Sequence, residues 1–573
     1  MTAPIHASDR HLFFDRWTGL FFNARGEFRL IVLYIPAVAV YGILANLYIP
    51  MVEVIWDMVF YKRMAFGLHH FSTFDLKHYF PMPPLYPLIL SLGCFAPHYL
   101  EIEWIQSWLN PMLYFLTLYP LYRYSRILLN PRESAFICLL FLVYPSSIYT
   151  QWSMSENLAA PLVLWTMLYA VKMLIAPCPS LKDGFFLGLA IAALVLTRVQ
   201  LGVIGVGILI WLTCKTARER KNPAAVLMAG GLSITVLLTV WEWLGYFSTP
   251  NSSPLYAEFS SLPMEDALPL CGTILTAHGI GLWLEGGTVI PLFGMTAFLL
   301  SLLRPDALTD KQKELARMVF GITLLDLASV AVFYVLRITI EPWSIALRYI
   351  FYLNLIGLPM VLDMAGIMRK VPIRPPGLTW ILYGLIGCAF ALGFVVPGVW
   401  SKLSDPHRFF SNAPQLDFMY QLVKEGPVRA GFFFMGISLL LGVLLVYVRY
   451  IGRAGWWGAL LYIQLCMFDY YFEMHQHTIE VSKIKDIHQF CSRLDAGQWN
   501  DIPLYCEDKY DYWVPNIYYW VNRKSVRLPP AAPRPTPPYL LLTDILHPDG
   551  ELVFQSGELR AYWYRNTGSA PTF

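Results

Sequence analysis

Charge is what this chain has least of. Only 14% of its 573 residues are Asp, Glu, Lys or Arg, against 56% hydrophobic. A soluble protein carries about a quarter charged residues, so an ordinary soluble fold is excluded. Alternating segments of about ten residues are also missing, which excludes a membrane β-barrel. The net charge of +3 is too small to point to nucleic acid as a partner. Residues 1–28 are polar, with Arg10, Arg16 and Arg25, and hold no short apolar core before a cleavage site. No cleavable signal peptide is therefore expected. Most of the nine cysteines sit in apolar runs, as small hydrophobes. No Cys-x-x-Cys or Cys/His spacing suggests a metal site.

What the chain does have is apolar runs of about 17–25 residues, each long enough to cross a bilayer. The sequence predicts an all-α polytopic membrane protein. Charge sets the orientation: the N-terminal arginines place the start of the first span, Leu30–Pro50, in the cytoplasm. The following loop, residues 51–84, is then extracytoplasmic. The apolar run Leu85–Phe95 is too short to span and reads as a helix on the outer surface. A crossing at Ile105–Tyr122 then keeps Arg123 and Arg126 inside. The same alternation puts Arg220-Lys221, Arg304–Arg317, Arg369-Lys370 and Arg449 inside. About thirteen crossings result, with the N-terminus in the cytoplasm.

Residues 472–573 differ in composition from the membrane part, residues 1–471. A helical pattern at Lys483–Leu494 precedes strand-like runs at Ile502–Cys506, Tyr539–Thr543 and Glu558–Tyr564. This predicts a small α/β domain outside the membrane. Its Cys491 and Cys506 either pair, as an oxidising compartment allows, or remain two thiols.

In this topology Glu53, Asp57, Glu156, Arg198, Arg337 and Arg348 come to the outer ends of spans. Ionisable residues at membrane depth are costly and tend to be functional. Arg198 stands alone in an apolar run, Ile191–Val203. It is either a snorkelling anchor or a ligand for an anion such as phosphate. Arg348-Tyr349 reads as an interfacial anchor or as a second such ligand. Carboxylates and arginines on one face suit sugar transfer from a lipid phosphate. A carboxylate takes the acceptor proton, and arginines stabilise the leaving phosphate. His69, His70, His78, His475 and His477 fall on the outer side and read as surface residues.

Asp57, Tyr61 and Ala65 keep the spacing of an Asp-Glu-x-x-Tyr-x-x-x-Ala loop, and Tyr79-Phe80 with Pro83-Pro84-Leu85 keep its second half. Tyr144-Pro145 with Ser153–Glu156, Leu196–Gln200 and Arg348-Tyr349 match later signatures. On these residues the chain resembles the GT-C class of membrane glycosyltransferases. The branch is that of protein O-mannosyltransferases and the lipid A aminoarabinose transferase. The resemblance implies a polyprenyl-phosphate monosaccharide as donor and inverting displacement at the anomeric carbon. It implies Asp57 as base, Arg198 and Arg348-Tyr349 on the donor phosphate, and Glu156 and Tyr61 orienting substrate. The acceptor is a glycan, lipid or protein, and no cofactor or metal is expected. Met58 replaces the motif's Glu, which leaves Glu53, one helical turn earlier, as reserve base. Pro81-Met82 stands where aminoarabinose transferases have Glu-Lys, so the acceptor stays open.

Two other functions are consistent with a polytopic chain. A lipid or glycan transporter or flippase would show internal repeats, and none is seen. An assembly protein would work through its C-terminal domain alone.

Overall fold

The computed structural model describes residues 26–48, 56–70, 83–244, 289–303, 305–336, 351–370, 481–497, 499, 502–507, 517, 521, 525–528, 534–557 and 559–565. Helices dominate. In chain order they are α1 (Gly26–Tyr48), α2 (Trp56–His69), α3 (Leu85–Leu90), α4 (Tyr99–Phe115), α5 (Leu118–Ser125), α6 (Pro131–Leu142) and α7 (Glu156–Ile175). Then come α8 (Leu181–Thr197), α9 (Gly202–Arg218), α10 (Ala224–Trp243), α11 (Val289–Leu303), α12 (Asp310–Leu336) and α13 (Phe351–Lys370). The C-terminal part supplies α14 (Val481–Asp495) and five strands.

Four helical segments among the described residues are long and apolar enough to cross a membrane: Leu30–Leu47, Glu156–Ile175, Val199–Arg218 and Ala224–Trp243. Their exposed residues fit that role. On α10, Leu227, Ile234, Leu238 and Trp243 are all exposed. Such a row would be an aggregation hazard in water but is neutral against lipid tails. The run Leu85–Phe95 folds as α3 followed by a 3-10 turn, Ser91–Phe95. At about 1.5–2 Å per residue it is far shorter than the ~30 Å hydrocarbon layer.

The expected crossing at Ile105–Tyr122 is broken into α4 and α5. Pro120 explains the break: it lacks an N–H and its ring excludes the carbonyl four residues earlier. Thr117 N accordingly bonds Tyr114 O at 3.1 Å, a tighter i−3 turn.

The chain divides into two compact units. One comprises Met1–Ala37, Tyr114–Ser147 and Leu158–Phe472; the other comprises Val38–Leu113, Ile148–Asn157 and Glu473–Phe573. In the first unit α8 and α10 pack closely through small residues. Gly184 and Gly188 face Ala225 and Ala229, and a Cβ at position 188 would meet Ala229 O at 2.7 Å. Glycine here lets two backbones approach, the usual device where no hydrophobic effect drives helices together. Gly188→Leu is expected to destabilise by about 1–3 kcal/mol through overpacking. Thermal unfolding in detergent checks this, and an unchanged midpoint would mean the helices do not pack this tightly.

The second unit contains the small sheet. Its strands are β1 (Leu504–Cys506), β2 (Ser525–Arg527), β3 (Tyr539–Thr543), β4 (Glu551–Ser556) and β5 (Leu559–Tyr564), in the order β2-β1-β3-β5-β4. β1 is parallel to β2 and β3; β5 is antiparallel to β3 and β4. All five residues of central β3 are buried. Successive side chains alternate between sheet faces. Leu540 and Leu542 join Ile487, Phe490, Cys491 and Leu494 of α14 in one core, while Tyr539 and Leu541 pack with Leu528 on the other. The α14 positions recur at i, i+3, i+4 and i+7, an amphipathic helix stripe.

The first core extends beyond the C-terminal residues. Met58 and Val59 of α2 belong to it, as does Met154, and all three are almost fully buried. Cys491 and Cys506 both lie in it, at 0% exposure. Asp495, the last residue of α14, accepts from the backbone N–H groups of Tyr99 and Leu100 at 3.2 and 3.3 Å. A carboxylate there satisfies two orphan donors of α4 and complements its dipole.

On the same helix, burial holds His488 below its usual value of 6.5, with the Glu103 charge opposing. A group kept neutral in the fold contributes its full stability above the unfolded value and loses it as pH falls. The second unit should therefore weaken below about pH 6.5, and His488→Gln should flatten that slope. Melting curves at pH 7.5 and 5.5 check this; an equal slope in both proteins would contradict it.

Candidate functional site

The second unit gathers a buried polar network around α2. Tyr61 and Lys62 leave that helix toward the interior, at 6% and 2% exposure. Tyr61 Oη donates to Ser155 Oγ at 2.9 Å, and Ser155 Oγ donates to Glu156 Oε2 at 3.4 Å. Glu156 opens α7 and is 2% exposed. The expected pair of Tyr61 and Glu156 is thus brought together, with Ser155 as the bridge.

Tyr86 of α3 packs edge-on to Tyr61, with ring centroids 5.2 Å apart. Its hydroxyl donates to Asn110 Oδ1 of α4 at 2.8 Å. Burial pushes the Tyr86 phenol well above its ordinary range, opposed by a hydrogen bond from Asn157 and reinforced by the nearby Tyr61, Glu156 and Glu103. Tyr86 is therefore a neutral hydrogen-bond donor. Lys62 Nζ meets Glu103 Oε2 of α4 at 3.0 Å, with both side chains at 5% exposure or less.

Asp57 is the second residue of α2, one turn before Tyr61. Its side chain lies outside the described residues, as do all of Glu53, Arg348 and Tyr349. The neighbouring departure from the family motif has a physical reason. Met58 is buried in the apolar core shared with α14, where an unpaired glutamate would be costly.

The first unit holds a second polar group. Arg198 is 8% exposed and extended (φ −153°, ψ 117°), so the long apolar run is interrupted at this residue. A 3-10 turn, Val199–Leu201, leads into α9 and packs on α12. Asp326 of α12 is fully buried and accepts from Tyr352 Oη of α13 at 3.0 Å. A buried carboxylate is costly unless it is hydrogen-bonded, which gives the Tyr352 contact its weight.

Lys62, Tyr86, Glu103 and Asp326 were absent from the expectations. Asp326 carried a visible signal, a lone acid in the apolar stretch Gly321–Val332. Lys62 and Glu103 carried only their charge; nothing in the sequence joins positions 41 residues apart. Among the described residues, no group of three or more His, Cys, Asp or Glu could hold a metal ion.

No family model and no curated protein matches the chain. Solved structures do. The chain is similar to ArnT from Cupriavidus metallidurans, crystallised with undecaprenyl phosphate. The TM-score is 0.54 at 14% identity, over 96% of this chain and 100% of that one. Against the apo form of the same protein the TM-score is 0.51 at 15% identity, over 93% and 97%. In fold, the chain resembles ArnT along nearly its whole length.

Proposed function

We propose that the chain is an integral-membrane glycosyltransferase. It moves one sugar from a polyprenyl-phosphate donor to a glycan, lipid or protein acceptor on the extracytoplasmic face. The observation that carries this reading is the end-to-end fold likeness to a protein crystallised with undecaprenyl phosphate. The loop spacing at Asp57, Tyr61 and Ala65 supports it independently.

The roles follow from the chemistry. The Asp57 carboxylate removes the acceptor hydroxyl proton, with Glu53 as reserve. The freed oxygen attacks the anomeric carbon, and the bond from that carbon to the phosphate oxygen breaks. The electron pair leaves with the phosphate, and configuration inverts. Arg198, Arg348 and Tyr349 hold that phosphate, as guanidinium groups suit its geometry. Glu156 and Tyr61, tied through Ser155, orient the sugar or the acceptor. No metal has a role in this scheme.

The wider topology belongs to the same proposal. Residues 1–471 form the membrane domain with about thirteen crossings, the N-terminus lying inside. Residues 472–573 form an extracytoplasmic domain. The membrane is that of a bacterial cell.

The test uses purified full-length protein in lipid with radiolabelled polyprenyl-phosphate sugars and envelope extracts as acceptors. Label moving to an acceptor with inversion supports the proposal. Label carried across the bilayer without transfer would make the chain a transporter instead.

A further inference from the structure

Tyr86 has no part in the reaction as described above, yet it is held at both ends. It follows Pro83-Pro84-Leu85 directly and sits on α3, the short helix that packs on α2. Its side chain is 0% exposed. The hydroxyl donates to Asn110 Oδ1 of α4 at 2.8 Å, and Asn110 is itself buried. The ring meets the Tyr61 ring edge-on, at 87° and with centroids 5.2 Å apart.

A phenol on a helix turns about two side-chain bonds, so the hydroxyl at its tip has one position only when the ring is confined. An edge-to-face neighbour confines it, because the positive edge of one ring seeks the negative face of the other. Tyr61 depends on such confinement. Its Oη reaches Ser155 Oγ at 2.9 Å, and Ser155 Oγ carries the contact on to Glu156 Oε2 at 3.4 Å. The confining ring must be fixed in turn, and Asn110 fixes it from a different helix.

We propose that Tyr86 is a positioning residue for Tyr61. Its ring, pinned by Asn110, keeps the Tyr61 hydroxyl on Ser155 and so holds Glu156 in the arrangement that orients the substrate. The proposal rests on the transferase reading given above. A residue that only fills space makes a different prediction. Its loss would harm the protein equally with or without the Tyr61 hydroxyl. Loss of a positioning residue slows transfer only while that hydroxyl is present.

Full-length protein in lipid would be assayed for transfer from radiolabelled polyprenyl-phosphate sugars, after thermal melts select folded variants. Tyr61→Phe, which removes only the hydroxyl, should lower kcat/KM about tenfold. Tyr86→Leu, which removes the confining ring, should lower it about fivefold. Tyr86→Phe, which keeps the ring and frees it from Asn110, should lower it about threefold. In the Tyr61→Phe background both Tyr86 substitutions should change kcat/KM by about twofold or less, because the two residues act as one unit. The melting midpoint should still fall in that background, which separates packing from positioning. Multiplicative losses of kcat/KM in the double variants would overturn the positioning role, as would a parent-like kcat/KM for Tyr86→Phe. If Tyr86→Leu fails to fold, Tyr86→Phe and its double variant decide by the same criteria. The transferase reading fails separately, and takes this inference with it, if the parent protein transfers no sugar.

Discussion

Asp57→Asn is expected to slow sugar transfer by about 10²–10⁴-fold, the range lost when a positioned general base is removed. Asparagine keeps the shape of the side chain and removes its ability to take a proton. Donor affinity should stay within a few-fold, since the base acts on the acceptor hydroxyl. Single-turnover rates with a radiolabelled donor separate the two effects. Glu53→Gln is the companion variant, four residues earlier in the sequence, and should reduce the rate far less. If Glu53→Gln proves the more damaging, the base is Glu53. Equal rates for Asp57→Asn and the parent would remove the base assignment.

The second large effect concerns stability. Lys62→Met is expected to destabilise the protein by about 3–5 kcal/mol, because it breaks a buried ion pair and removes the cation 3.0 Å from the Glu103 carboxylate. Adding Glu103→Met should recover most of the loss, since a buried ion pair replaced by apolar side chains is often neutral. Thermal unfolding of the parent, both single variants and the double variant forms a complete cycle. A Lys62→Met protein as stable as the parent would mean the pair is not buried and charged. The double variant also carries functional information. If it regains stability but not transfer, Lys62 contributes to the reaction as well as to the fold. Its neighbour Tyr61 already lies in the network that reaches Glu156.

Much of the fold was legible because membrane burial leaves a coarse mark. Apolar length and basic clusters are one-dimensional signals, and α7 to α13 fall where they point. The C-terminal strands β1, β3 and β5 were legible for a related reason. They are apolar, and β3 is buried at all five positions. β2 is only three residues long, and β4 fully buries only one of its six residues, so neither stands out from a loop. The division of α4 from α5 was readable at Pro120 but was outweighed by the apolar run around it.

The site was legible only in part. Motif spacing reached Tyr61 and Glu156, which the fold joins through Ser155. Pairings between distant positions, such as Lys62 with Glu103, are a property of packing and leave no local trace. Asp326 did leave one, but a search confined to the ends of apolar runs passes over an acid in the middle of one.

The placement of Met58 has a consequence for the order of assembly. The residue beside Asp57 packs against Phe490 and its neighbours in one core. Those partners lie more than four hundred positions later in the chain. At synthesis rates of about 5–20 residues per second, they emerge tens of seconds after α2 does. During that interval α2 has no finished core to rest on. The core that buries this helix is therefore completed late, after nearly the whole chain has been made.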